Sequence, residues 1–192
     1  PGYEVPLVQK DMIQKCIKAN VPVITATQML ESMIQNPRAT RAEISDVANA
    51  VLDGTDALML SGESAYGDYP FEAVETMANI AKHVEAKTAH GINLDSENDR
   101  KDLQAYVAKS VAKAARDLDV DAIVVPTRQG TTARQIASHR PAAPVYAACY
   151  EPEPLRLLSL SYGVEAYLID VEERSSVVAK SVKPLVADNV LT

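Results

Sequence analysis

The chain has 192 residues, 47% of them hydrophobic, enough for one large domain or two small ones with a real core. Its net charge of -7, from 26 acidic against 19 basic residues, disfavours a nucleic-acid backbone as the main partner, because phosphate contacts need clustered Lys and Arg. Apolar residues are spread along the chain and no run approaches the roughly 20 needed to cross a bilayer, so a membrane is not an expected partner either.

The first predicted element is an amphipathic helix from Val5, with Val5, Val8, Met12, Cys16, Ile13 and Ile17 at helical spacing. Val21 to Thr25 is a short apolar, β-branched run that reads as a strand covered on both faces. Gln28 to Gln35 reads as a short helix closed by Asn36 and Pro37. Thr40 followed by Glu43 makes a capping box, since hydroxyl and carboxylate can satisfy the first free N–H groups of a helix. Ile44, Val47, Ala48, Val51 and Leu52 give that helix its buried face, and Gly54 suits the position past its end. Thr55 to Leu60 is the next strand. A polar loop, Ser61 to Pro70, then leads to a helix carrying Phe71, Val74, Met77, Ala81 and Val84.

Residues Ala89 to Lys101 are rich in Gly, Asn, Asp and Ser, a composition that marks a linker and a domain boundary. Beyond it come helix Leu103 to Leu118, strand Asp121 to Val125, helix Thr132 to His139 and strand Val145 to Ala148. A helix around Pro154 to Tyr162, a strand Glu165 to Ile169 and a last helix from Ser175 to Ala187, weakened by Pro184, complete the order. Two strand–loop–helix units before the linker and about three after it argue for parallel α/β architecture throughout. No internal repeat is visible.

Cys16 and Cys149 lie far apart in apolar stretches, which suits buried free thiols and a cytoplasmic setting better than a disulfide framework. His83, His90 and His139 are too scattered for a metal cluster, and no zinc-type spacing occurs, so no metal site is expected from these residues. Starting at Pro1 without a Met and without a signal-peptide pattern, the chain reads as a processed piece or part of a longer protein.

In parallel α/β structures, ligands gather at the loops that leave the C-terminal strand ends. Thr25-Ala26-Thr27-Gln28 can hold a carboxylate or phosphate with hydroxyls and backbone N–H groups, although Thr at a strand end is more often a helix cap. Ser61-Gly62-Glu63-Ser64-Ala65-Tyr66-Gly67 allows close backbone approach and adds a charge beside Leu60, and an ordinary turn fits it as well. Thr127-Arg128-Gln129-Gly130-Thr131-Thr132 joins a buried strand to a helix N-terminus; its hydroxyls, N–H groups and Arg fit a phosphate cradle or a plain polar loop. None matches a Walker or dinucleotide glycine pattern, and the G-x-S-x-G elbow is absent. The residues by themselves lead to an anion-binding α/β protein.

Four motifs go further. Ala26-Thr27-Gln28-Met29-Leu30-Glu31-Ser32-Met33, Pro37-Arg38-Ala39-Thr40-Arg41-Ala42-Glu43, Ser45-Asp46-Val47-Ala48-Asn49-Ala50-Val51 and Met59-Leu60-Ser61-Gly62-Glu63-Ser64 occur in order and closely resemble pyruvate kinase at that family's spacing. The likeness continues less sharply to about Ile169. It implies that residues 1–89 are the last βα units of the family's (β/α)8 catalytic barrel. Residues 90–192 would then be its C-terminal, effector-binding three-layer α/β domain.

The resemblance implies phosphoryl transfer from phosphoenolpyruvate to ADP, giving pyruvate and ATP in glycolysis, with Mg²⁺ and K⁺ as cofactors and a homotetramer as the assembly. It implies that Thr27 contacts phosphoenolpyruvate or pyruvate, and that Ser61 and Glu63 join a water-linked network on the proton-delivery side. Thr127, Arg128, Gln129, Gly130, Thr131 and Thr132 would form the effector-phosphate loop, for a sugar phosphate or a nucleotide. Arg38 and Arg41 would approach a neighbouring subunit. The family's metal ligands, its phosphoryl-contacting Lys and Arg and its lid domain belong upstream of Pro1, and its C-terminal domain continues into further strands. Tyr66 stands where some relatives have Lys, which weakens any nucleotide contact there. The chain is thus expected to be truncated at both ends and inactive alone. Two other expectations remain: a non-catalytic module that binds a phosphorylated effector, and a piece that folds only by association because two barrel units leave an open sheet edge.

Overall fold

The computed structural model describes residues 2–88, 102–118, 120–170 and 176–191, and the linker read at 89–101 lies outside them. The chain divides into two compact units, Pro1–Ala89 and His90–Thr192.

In the first unit, helix α1 (Val5–Lys18) is preceded by a 3-10 turn and carries a proline in its first turn, where a missing N–H costs nothing. Only Ile13 and Ile17 of its predicted apolar face are buried; Val5, Val8 and Met12 stay exposed. They line an open groove of about 500 Å³ between α1 and the following strand. That strand, β1, covers only Ile24–Thr25, shorter than the predicted Val21 to Thr25, and it is not covered on both faces: Thr25 is buried while Ile24 is exposed.

β1 pairs in parallel with β2 (Ala57–Leu58), Ile24 opposite Ala57 and Thr25 opposite Leu58. Asp56 reinforces the pair from below, its Oδ2 accepting the Val23 N–H at 3.0 Å while its own N–H donates to the Val23 carbonyl at 3.0 Å. Residues predicted as a helix from Gln28 to Gln35 form a single 3-10 turn, Glu31–Ile34. The physical reason is upstream: Thr27 and Gln28 both have positive φ, which a right-handed helix excludes.

Helix α2 (Arg41–Asp53) begins with the predicted Thr40–Glu43 capping box and ends at Gly54 in the left-handed conformation, φ 87°. After β2 the expected polar loop contains one helical turn, α3 (Gly62–Ala65), and α4 (Pro70–Glu85) starts at Pro70. Met29, Leu30 and Met33 pack with Val47 and Ala50 of α2 and with Ala73 and Met77 of α4 to form this unit's core.

The second unit holds a parallel sheet in the order β3–β4–β5: Ile123–Thr127, Val145–Cys149 and Val164–Leu168. Alternate residues of β3 are buried, as its β-branched sequence favours. β3 runs two residues later than predicted, so Thr127 ends the strand and does not open the loop. Helix α5 (Leu103–Asp117) is capped by Asp102, whose carboxylate accepts the Gln104 N–H at 2.9 Å. Helix α6 (Thr131–Ser138) packs on α5 and reaches all three strands, α7 (Pro152–Leu158) lies against β4 and β5, and α8 (Val177–Ala187) lies against β3. Small residues Ala108, Ala115 and Ala133 bring helices close to Ile123, Val125, Val145 and Leu158 in the core. Pro184 sits inside α8, which nevertheless continues to Ala187.

Candidate functional site

Because β1 and β2 are parallel, the chain leaves both strands on the same side. Two residues past β1, Thr27 and Gln28 take φ 71° and 53° in succession. A β-branched residue in this region is an outlier, and such positions cost on the order of 1–3 kcal/mol each and persist only where the surroundings over-determine them. Thr27 is exposed, and its hydroxyl donates to the Ala26 carbonyl at 2.6 Å.

Glu63 supplies part of that surrounding. Its side chain is only 1% exposed, with one carboxylate oxygen accepting the Leu30 N–H at 3.0 Å and the other accepting the Ser61 N–H at 2.8 Å. Charge-assisted bonds of this kind are about twice as strong as neutral ones. One buried carboxylate thus ties the segment after β1 to the loop after β2. A second tie runs from the Asp68 N–H to the Ile34 carbonyl at 2.8 Å. The loop can close this tightly because Gly67 has no side chain; a Cβ there would stand 2.7 Å from the Glu63 carbonyl oxygen, a backbone atom with little freedom to move. Ser61 is exposed and its side chain makes no capping bond to α3.

Glu43 adds a clamp that the capping-box pattern did not foretell. Its carboxylate accepts from the Ser32 N–H and the Ser32 hydroxyl, both at 2.6 Å, as well as from the Thr40 N–H at 2.7 Å and the Thr40 hydroxyl at 2.8 Å. Partial burial alone would push the Glu43 carboxyl up, but the bonds from Ser32 and Thr40 outweigh it and hold the group below its usual value. Arg38 and Arg41, on either side of Thr40, are both exposed, as is Tyr66.

The third predicted loop lies in the second unit. Thr127 is 5% exposed, and its Oγ1 accepts the Gly130 N–H at 2.9 Å, closing the turn. Gly130 has φ 78° and is buried against Leu158, where a Cβ would come within 3.1 Å of the side chain. With glycine as its N-cap, α6 starts without a side-chain cap, which leaves its first N–H groups open to an anion. Arg128, Gln129 and Thr131 are exposed around that end and Thr132 is half-buried. Thr127 thereby shapes the loop from beneath, while its exposed neighbours face solvent.

Next to Thr127 in register stands Cys149, fully buried at the end of β4, its thiol pushed up by burial. Tyr167 on β5 is pushed up as well, first by burial and then by Cys149. Among the described residues no three His, Cys, Asp or Glu side chains converge in a way that could hold a metal ion. Nor is any helix among them long and apolar enough to cross a membrane. Both loop clusters offer hydroxyls and backbone N–H groups, which suits binding and orienting an anion.

Two family models match the sequence: the pyruvate kinase barrel domain over residues 1–74 and the pyruvate kinase alpha/beta domain over residues 105–192. The chain is 53% identical to a pyruvate kinase of Bacillus licheniformis over 168 residues, covering 86% of this chain and 29% of the relative. It is 48% identical to a pyruvate kinase of Clostridium acetobutylicum over 172 residues, covering 88% of this chain and 36% of the relative. The crystal structure of a pyruvate kinase from Cryptosporidium parvum superposes with a TM-score of 0.88 at 35% identity, over 100% of this chain and 40% of that one. The chain spans about a third of the length of the curated relatives it matches. Two models of one family account for most of the chain, the first of them spanning all four motifs, and the chain belongs to the pyruvate kinase family.

Proposed function

We propose that the chain is part of an enzyme that transfers a phosphoryl group from phosphoenolpyruvate to ADP, forming pyruvate and ATP in glycolysis. The observation that carries this reading is the joining of the Thr27 and Ser61 strand exits through buried Glu63, inside the segment matched by the barrel model. In this reading the exposed Thr27 contacts the carboxylate end of phosphoenolpyruvate or pyruvate, and the Ser61 hydroxyl takes part in delivering a proton to enolpyruvate. Glu63 serves both by fixing the backbone from which they project. Such groups work through position and electrostatics, as phosphoryl transfer requires.

Mg²⁺ and K⁺ belong to the proposal as the family's cofactors, supplying charge to the transferring phosphoryl group when bound. In this reading the ligands of both ions lie outside this chain, and none of its residues is assigned to either. Residues 1–89 are proposed to complete a (β/α)8 barrel and residues 90–192 to form the effector domain. The free thiols Cys16 and Cys149 favour a reducing, cytoplasmic setting. Exposed Arg38 and Arg41 are proposed to face a neighbouring subunit of a tetramer.

The test is ADP-dependent pyruvate formation coupled to lactate dehydrogenase. The complete protein is expected to turn over, its Thr27→Ala variant to lose most of kcat/KM for phosphoenolpyruvate, and the isolated 192-residue chain to be inactive. Robust turnover by the isolated chain would overturn the assignment of the remaining machinery to other residues.

A second reading concerns the other unit, and the uncapped start of α6 favours it. There the loop from Thr127 to Thr132 binds the phosphate of a sugar phosphate or a nucleotide as a regulatory effector. Calorimetric titration of the Thr127→Ala, Thr132→Ala double variant is expected to show binding abolished, and unchanged titrations would count against the site.

A further inference from the structure

The left-handed turn at Thr27 and Gln28 is pinned before and after. Before it, Thr25 is paired with Leu58, and the Thr25 carbonyl accepts the Met59 N–H at 3.0 Å. After it, Glu63 holds the Leu30 N–H and Glu43 holds Ser32. The Glu43 contacts exceed what their local role demands. A capping box asks the third helical residue to reach back only to the N-cap residue, and the bonds to Thr40 already do so.

The two bonds to Ser32 span eleven residues toward the strained turn and contribute nothing to starting α2. One donor is a backbone amide and the other a hydroxyl, so both the position and the orientation of Ser32 are set. Between Ser32 and the turn lie only Met29, Leu30 and the exposed Glu31; the first two are buried in the core and the third opens the 3-10 turn, which leaves the connection little slack.

We propose that Glu43, acting through Ser32, is a positioning residue for Thr27. The inference rests on the reading of Thr27 as a substrate-contacting residue. The glutamate that starts α2 also holds the site's strained turn, so that helix and turn form one rigid piece.

The complete enzyme is the material for the test, with variants Ser32→Ala, Glu43→Gln and Thr27→Ala and the doubles that combine each of the first two with Thr27→Ala. Ser32→Ala removes one hydroxyl bond and leaves the capping box whole, which keeps the question answerable if Glu43→Gln folds poorly. Ser32→Ala is expected to lower kcat and raise KM for phosphoenolpyruvate, on the order of ten-fold together, with KM for ADP unchanged. In the Thr27→Ala background the further loss should shrink below about two-fold, because residues acting through one another are not additive. A loss that multiplies in full on top of Thr27→Ala would overturn the proposal alone, as would a lowered melting temperature with unchanged kinetic constants. A Thr27→Ala enzyme as active as its parent would overturn the Thr27 reading and this inference with it.

Discussion

A carboxylate oxygen of Glu63 accepts the amide proton of Leu30 at 3.0 Å, joining residues 33 positions apart in the chain. Its second oxygen takes the Ser61 N–H, and the side chain is all but fully buried. Glutamine can accept with only one of its two terminal atoms, so Glu63→Gln leaves one of these N–H groups facing another donor. Hydrogen bonds to charged groups contribute about 1.5–3 kcal/mol, and a loss of that order is expected in the urea unfolding of the first unit. An unchanged midpoint would show that the tie is dispensable.

Acid should weaken the first unit through Glu43. Its folded carboxyl titrates below the ordinary value of 4.5, so the unfolded state binds the proton more readily. The contribution is fully present above the unfolded value and is lost as pH falls through the folded one. Stability should therefore drop from about pH 5 downward, and Glu43→Gln should flatten that part of the profile. Parallel urea-midpoint curves for the two proteins across this range would refute the coupling.

At Thr127 stability and binding have to be separated. Thr127→Val removes the acceptor for the buried Gly130 N–H, an omission that costs about 1–3 kcal/mol, whereas Thr127→Ser keeps it. Thermal unfolding should rank serine near the parent and valine clearly below. Thr131→Ala changes an exposed residue at the start of α6, so it should weaken phosphate binding with little change in melting temperature.

The two thiols should differ in reactivity. Cys149 is buried and its thiol is pushed up, whereas Cys16 is only half-buried on α1. An aromatic disulfide reagent should label Cys16 in the folded protein and Cys149 only on unfolding. Equal labelling rates would contradict the burial of Cys149.

The isolated chain should self-associate. Val5 at 60%, Val8 at 52%, Met12 at 58% and Ile24 at 46% exposure border one apolar groove beside a strand that, among the described residues, is paired on a single edge. Sedimentation velocity should show oligomers that shrink after Val8→Gln with Met12→Gln. A monodisperse monomer would count against this expectation.

Much of the fold could be read locally. The capping box at Thr40 and Glu43, the Gly54 stop and the Asp102-led helix all arise from contacts within a turn or two, which spacing in the sequence records directly. Strand limits were less legible. Thr55 opens the run to Leu60 that reads as a strand, but its hydroxyl shares its proton between the Val23 and Ala57 carbonyls, and the ladder itself keeps only Ala57–Leu58. The predicted helix from Gln28 failed because nothing in the side chains of Thr27 and Gln28 announces positive φ; core packing and two distant carboxylates impose it.

For the candidate site the division is similar. The sequence by itself determined the family, the order of the α/β elements and the identity of Thr27, Ser61, Glu63 and the Thr127–Thr132 loop as residues to examine, because motif spacing and helix signals are short-range properties. Only the tertiary structure decided that Glu63 is a buried tie between two strand exits, that Glu43 reaches past its own helix to Ser32, and that Thr127 supports its loop from beneath. The first two join groups far apart in sequence, and the third depends on the burial of Thr127, so no local pattern encodes them.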